Sequence, residues 1–379
     1  MVNDYYKSFL DCSLSAIKNH SEISSAEYVS SGMERSSDVR CFSQLSSVLC
    51  RSIEHLDEEL LRFEKNFSSS KNTLFWASDY NDVFASVRKI IKKNRSRSVR
   101  LPNINNSTIF RELGIKYFLQ DEKIELSDDA DLQFFAVDMM FSDTGSLLLV
   151  NQSNNSFSKI SNNVTNIFFA TIDQICCSSE YVESIKKVLS YRNGAEHQDM
   201  ILFRTSPNCH NYLFIIDNQR SSLLKDPFLR RSLTCLHCGR CNDVCPVHRI
   251  IGDEPYNNVF TGPMANITLP FLESFESYKH VTYVCTLCGQ CELVCPLALP
   301  LRDLNIHVRS VFISDDSMEK KDRQLLAVIR KYASNRKKLN GTRFIKKHLL
   351  TKHLSSSLCL VHDKNVNNHT TNKLSTFLS

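Results

Sequence analysis

The sequence predicts an α/β domain built on a largely parallel sheet, followed by a cysteine-rich module of different character. Three observations predict it: short apolar runs alternate with helical patterns between Asn72 and Asp226, an amphipathic helix precedes them, and a cysteine motif beyond them occurs twice. A chain of 379 residues has room for two or three compact units.

The first 45 or so residues are serine-rich and weakly periodic, and read as a loose or partly helical lead-in. From Val48 to Phe67, Leu49, Ile53, Leu56, Leu60 and Phe63 recur every three or four residues between charges, which predicts an amphipathic helix that docks on the domain after it. Residues 1–67 thus make a lead-in and a helix, and 68–225 the α/β domain. Its apolar runs are Thr73–Trp76, Val99–Leu101, Ile115–Leu119, Phe134–Val137, Ser146–Val150, Ile167–Ala170, Met200–Phe203 and Tyr212–Asp217, with helices near Tyr80–Lys93 and Glu180–Leu189. No Gly-x-Gly-x-x-Gly or Walker pattern indicates a conventional dinucleotide or nucleotide site. Asp226-Pro227 opens a helix and the cysteine-rich module, 226–312. The remainder, 313–379, reads as a basic helical and disordered tail, with Leu325, Leu326, Ile329 and Tyr332 at helical spacing.

Net charge is +5, placed unevenly: Lys320 to Lys352 holds twelve Lys or Arg against one acid, Asp322. A solvated helix face is the plain reading of that stretch and docking on an acidic partner the second; no aromatic or groove-reading pattern points to nucleic acid. The start, Met1-Val-Asn-Asp, has no apolar core of an export signal, and the longest apolar runs, such as Leu147–Val150 and Leu213–Ile216, are far short of a membrane span. A cytoplasmic protein, free or peripheral at the inner membrane face, is expected.

The internal repeat carries the chemistry. Thr234 to Pro246 recurs fifty residues later as Val284 to Pro296, with seven of thirteen positions identical, among them Gly239 and Gly289, two of only nine glycines in the chain. Each copy reads Cys-x2-Cys-x2-Cys-x3-Cys-Pro. A cubane has four irons that each need a thiolate; three cysteines at two-residue spacing reach three corners, and in two-cluster ferredoxins the fourth ligates the other cluster. Two 4Fe-4S clusters are therefore expected, one on Cys235, Cys238, Cys241 and Cys295, the other on Cys285, Cys288, Cys291 and Cys245. Zinc favours Cys-x2-Cys pairs a dozen or more residues apart and fits this spacing poorly. Cys12, Cys41, Cys50, Cys176, Cys177, Cys209 and Cys359 lack the spacing and read as buried free thiols, the vicinal pair Cys176-Cys177 being the one to test for redox chemistry. His237 and His248 flank the first motif and could tune a cluster through hydrogen bonds, although surface histidines are the plainer reading. Asp143-Thr144-Gly145 reads either as a ligand-facing loop or as an ordinary tight turn.

Beyond the motifs, the chain resembles the LutB (LldF) iron–sulfur subunits of bacterial lactate utilization, which carry an LUD domain before a dicluster module. The resemblance includes Leu56-Asp57, Leu60, Phe63-Glu64 and Asn66, then Trp76-Ala77, Asp143-Thr144-Gly145 with Ser146–Leu149, and Asp217–Pro227. It continues through Cys235–Gly252, Gly262-Pro263, the second motif and Pro300-Leu301. It implies a Rossmann-like α/β domain, an α-helical ferredoxin-type dicluster module, and electron transfer in the oxidation of L-lactate. The implied partners are an HdrD/GlpC-like cysteine-rich subunit and a second LUD protein. Two stretches depart from the family: Leu101–Thr108 lacks the usual lysine, and Asp121–Asp131 is short. No residue is expected to act as a general base or nucleophile. A different class of function, a redox-sensing scaffold or regulator that binds an acidic partner or nucleic acid through the basic tail, is the alternative.

Overall fold

The computed structural model of the protein describes residues 8–9, 11–13, 15, 36–68, 72–101, 108–127, 130, 132–151, 164–191, 199–203, 210–258 and 260–314. Met1–Val308 form one compact unit and Arg309–Ser379 another. Most of the Leu101–Thr108 loop, part of Asp121–Asp131, Cys209, Cys359, the tail leucines and the whole of Lys320–Lys352 lie outside the described residues.

Two helices, not one, open the chain: α1, Ser36–Glu54, and α2, Leu56–Phe67. They break at His55, whose backbone (φ −112°, ψ 36°) is non-helical. The apolar stripe starts earlier than expected, because Phe42 and Leu45 extend it back from Leu49 and Ile53 into the serine-rich stretch, and all four are buried. Serine costs a few tenths of a kcal/mol per helical position, which a buried stripe overrides.

A four-stranded parallel sheet comes next, in the order β1 (Asn72–Ala77), β10 (His210–Ile216), β7 (Thr165–Thr171), β4 (Leu132–Ala136). Its strands are near-continuous apolar runs because both faces are covered. On one face Phe134, Phe169 and Phe214 pack with α3 (Tyr80–Asn94), α4 (Thr108–Glu112) and α5 (Ile115–Asp121). On the other, Phe135 and Phe168 stack, and Phe168 meets Phe203 of a second sheet at 4.9 Å. That sheet runs β8 (Ile175–Cys176), β5 (Met139–Phe141), β6 (Ser146–Asn151), β9 (Asp199–Phe203); β6 is antiparallel to both its neighbours. A short parallel pair, β2 (Ser98–Val99) and β3 (Glu125–Leu126), completes the strands, and α6, Val182–Leu189, lies beyond β8. The predicted α/β class stands. One element changes type: Ile115–Leu119, read as a strand-like run, is α5. Gly114 enters it in a left-handed conformation, and Ile115, Phe118 and Leu119 are buried while Tyr117 is 76% exposed, the spacing of a helix and not the alternation of a strand.

After α7, Arg220–Leu224, the chain becomes helical. Asp226 Oδ1 accepts from the N–H groups of Phe228 and Leu229, so the expected helix begins at Leu229 and is a 3-10 turn, Leu229–Thr234. Then come α8 (Arg240–Asp243), α9 (Pro246–Ile251), a 3-10 turn (Glu254–Tyr256), α10 (Gly262–Leu272), α11 (Phe275–Val284), α12 (Gln290–Leu293) and α13 (Leu301–Ser314). The buried helix α10 packs against α11 and, with it, returns the chain from the first motif to the second, so that α8 and α12 lie together.

Candidate functional site

The two motifs fold alike. Cys235 and Cys285 are extended (φ −68°, ψ 127° and φ −64°, ψ 126°), each at the end of a helical segment. Two residues on, His237 (φ 51°) and Leu287 (φ 59°) are left-handed, which turns their N–H groups back onto the sulfurs of Cys235 and Cys285, both at 3.4 Å. Gly239 (φ 83°) and Gly289 (φ 76°) then start α8 and α12, and a side chain at either φ would cost about 1–2 kcal/mol. At Gly239 a Cβ would meet nothing within 4 Å, so the backbone angle is what requires glycine there. Cys245 and Cys295 close each motif, their sulfurs accepting from the N–H groups of His248 and Leu299 at 3.5 Å. Pro246 opens α9, whereas Pro296 leads into a non-helical turn.

The thiols fall into two groups that cross the motifs and meet at Cys241 and Cys291. Burial and then Cys238 and Cys295 raise the Cys235 thiol, and Cys241 is raised well above its ordinary value by burial, by Cys235, Cys238 and Cys295, and by Cys291 of the other group. Burial, then Cys285, Cys245 and Cys288 among its neighbours, pushes Cys291 up to about 12. Cys245 is raised by burial and by Cys285 and Cys288, against the backbone amides of His248 and Val247 that lower it. Of the eight cysteines Cys291 is buried, Cys288 exposed and the others half-buried, and an all-sulfur donor set of this kind suits iron–sulfur clusters. Among the described residues, no three His, Cys, Asp or Glu side chains are placed to hold a single metal ion.

A cleft beside the first group is lined by Asp138, Asp173 and Gln174, which lie just past β4 and β7, and by Leu233 to His237. Behind Asp173 lies a buried polar set. Arg220, 3% exposed, sits 3.1 Å from both Glu112 oxygens and 2.9 Å from Asp173 Oδ1, and the Tyr80 hydroxyl donates to Glu112. Sequence reading missed these four residues: they stand singly in segments far apart in the chain, and only the sheet's carboxyl edge brings them together. Tyr256 was missed too. It is buried, and apart from the Gly262 backbone N–H beside it, its Oη finds no acceptor for its proton among the described residues.

The other candidates have structural work. Asp143 accepts from the N–H and Oγ of Ser179, both at 2.8 Å, and a Cβ on Gly145 would lie 2.6 Å from the Phe67 nitrogen, so this turn is packed against α2. Cys176 is fully buried and its thiol is pushed up to about 12 by burial, which makes it a poor nucleophile. The imidazole of His237 lies 5.2 Å from the Phe260 ring, and His248 Nε2 pairs with Asp253 at 2.7 Å; both residues reach the sulfurs through their backbone N–H groups.

Residues 231–299 match the 4Fe-4S dicluster domain family. Lactate utilization protein B of an Exiguobacterium species is 38% identical over 104 residues, 27% of this chain and 22% of that protein. The proteins of that name from Bacillus thuringiensis and Bacillus cereus are 36% identical over 105 residues, 28% of this chain and 22% of each. Over that stretch this chain is similar to lactate utilization protein B. The aligned stretch spans about a fifth of the length of those lactate utilization B relatives. A crystal structure of a DUF162 family protein from Deinococcus radiodurans is 16% identical, with a TM-score of 0.31, covering 42% of this chain and 98% of that one. Among the described residues no helix is long and apolar enough to cross a membrane.

Proposed function

We propose that this chain is the electron-transferring iron–sulfur subunit of a complex that oxidises L-lactate or a related 2-hydroxy acid. Cys235, Cys238, Cys241 and Cys295 would hold one 4Fe-4S cluster, and Cys245, Cys285, Cys288 and Cys291 the other, which together would supply the path for the electrons. What supports the reading is that two Cys-x2-Cys-x2-Cys-x3-Cys-Pro motifs fold alike and that α8 and α12, which carry Cys241 and Cys291, lie together, as exchange of the fourth ligand between two neighbouring clusters requires. When bound, the clusters supply one-electron storage at two adjacent points. The chain's own residues hold them with thiolates and aim backbone N–H groups at sulfur. A partner subunit then performs the chemistry on the hydroxy acid, with an HdrD/GlpC-like subunit and a second LUD protein as the expected company. The residues divide as domains into 1–67, 68–225, 226–312 and 313–379.

The crossing gives a sharp test. After anaerobic reconstitution to about eight irons per chain, Cys295→Ser should abolish the same EPR signal as Cys238→Ser, and Cys245→Ser the same signal as Cys288→Ser. Pairing by motif instead, Cys245 with Cys238, would refute the assignment. L-lactate reducing the clusters in an anaerobic affinity-purified complex would establish the fuel; reduction by glycolate alone would reassign it, and a salt-sensitive nucleic-acid shift that tracks cluster state would favour the regulator.

A further inference from the structure

The two thiol groups share a motif but not an environment. Cys235, Leu236 and His237 line one cleft together with Asp173. Asp173 is 9% exposed, and its buried set holds two carboxylates, Asp173 and Glu112, against the single guanidinium of Arg220. Tyr80 adds no positive charge: burial, then Glu112, keeps its phenol protonated. The set therefore presents net negative charge next to the first group.

The second group has a neighbour of opposite character. Tyr256 is 1% exposed, its ring packed 6.0 Å from Phe9 and 6.4 Å from His248, whose backbone N–H donates to Cys245 Sγ. Burial and then the Cys245 and Cys285 sulfurs disfavour its ionisation, so the phenol keeps its proton beside those two thiols. The Gly262 backbone N–H lies beside its oxygen, while its own O–H has no acceptor among the described residues, and a buried hydroxyl seeks one. Water also reaches this side, since Cys288 is exposed.

We propose that Tyr256 donates its O–H to a sulfur of the cluster on Cys245, Cys285, Cys288 and Cys291 while the Asp173 carboxylate faces the other cluster, making the Tyr256 side the stronger electron acceptor. The proposal rests on the reading of the eight cysteines as cluster ligands. A reduced cluster carries one more negative charge; a hydrogen bond and solvent stabilise that charge, and a nearby buried carboxylate opposes it. One electron leaves the cluster on the Asp173 side, which is oxidised by one, and reduces the other by one. Tyr256 keeps its proton and no bond breaks. A reduced flavin or iron–sulfur partner supplies the electron in the complex, dithionite in the test.

The test is an EPR-monitored potentiometric titration of the reconstituted full chain, with each signal assigned by its loss in Cys238→Ser or Cys288→Ser. Wild type should show two potentials, the Cys288 signal the higher. Tyr256→Phe should lower that potential alone by about 59 mV, a tenfold change for a one-electron couple. Asp173→Asn should raise the Cys238 signal by a similar amount. Equal or reversed wild-type potentials overturn the proposal even if neither variant loads iron, as does a fully loaded Tyr256→Phe chain with unmoved potentials. A wild-type chain that reconstitutes without 4Fe-4S signals overturns the cluster reading itself, a different and recognisable failure.

Discussion

Replacing Gly145 with alanine separates a structural turn from a ligand loop. Gly145 has φ 66°, and an added Cβ would lie 2.6 Å from the Phe67 nitrogen and 2.7 Å from the Asn66 carbonyl carbon. Those are backbone atoms at the end of α2, and they cannot rotate aside. The end of α2 is tied to the same turn, because Asn66 Nδ2 donates to the carbonyls of Ser142 at 2.7 Å and Asp143 at 3.1 Å. Relief requires α2 and the turn to part by roughly 0.8 Å to regain ordinary contact, an overpacking that costs about 1–3 kcal/mol. The left-handed backbone adds about 1–2 kcal/mol, so Gly145→Ala should destabilise the chain by about 2–5 kcal/mol. Gly239→Ala is the control, since φ is 83° but the space is open, and only the conformational part, about 1–2 kcal/mol, should appear. Anaerobic urea unfolding monitored by far-UV circular dichroism measures both. Equal losses, or a smaller loss at Gly145, would refute the packing argument.

His280 is buried and its pKa lowered to about 4 by that burial, from an ordinary 6.5. The unfolded chain therefore takes up its proton first, and stability present above pH 6.5 declines as pH falls toward 4; His280→Phe should remove about 1–2 kcal/mol of that decline between pH 7 and 5, read from urea midpoints. Asn211 donates to Asn72 at 2.9 Å and accepts from Asn166 at 3.0 Å across β1, β10 and β7, so Asn211→Leu strands two buried amides and should cost about 2–6 kcal/mol by the same assay, with no change in iron content. Arg220→Met leaves Glu112 and Asp173 as unpaired buried carboxylates, for a loss of about 3–5 kcal/mol, while Arg220→Lys keeps the charge and should lose less; similar losses for both would show that the guanidinium's shape and not its charge is what matters.

Much of the fold and of the candidate site was legible in the sequence because it is written locally. The strands of the parallel sheet are apolar runs, and the repeat declares itself through cysteine and glycine at fixed offsets. What stayed hidden depends on distance in the chain. Ile115–Leu119 is too short for its periodicity to separate helix from strand, and the left-handed Gly114 that settles it shows only in the folded backbone. Phe42 and Leu45 are masked by serines whose propensity is weak, and their burial comes from the fold around them. Tyr80, Glu112, Asp173 and Arg220 carry no spacing at all. They meet because parallel strands deliver their trailing segments to one edge, where an α/β sheet commonly places its polar residues.

The repeat is also where sequence symmetry stops predicting physical symmetry. Two copies of one motif give the same local fold, down to matched left-handed residues at His237 and Leu287 and matched sulfur contacts at 3.4 Å. What the two copies share acts equally on both thiol groups. Beyond the six positions at which they differ, the surrounding fold supplies two further differences: Asp173 from the sheet's carboxyl edge and Tyr256 from the turn after α9. The proposed exchange of Cys245 and Cys295 would compound this, since each group would then borrow one ligand, and that ligand's backbone surroundings, from the other copy. Cys295 accepts an N–H from Leu299 in a non-helical turn, Cys245 from His248 in the first turn of α9. A duplicated motif can thus become a directional pair without any change in its cysteines, and substitutions that alter direction should lie at neighbours such as Asp173 and Tyr256, where the ligand pattern gives no warning of them.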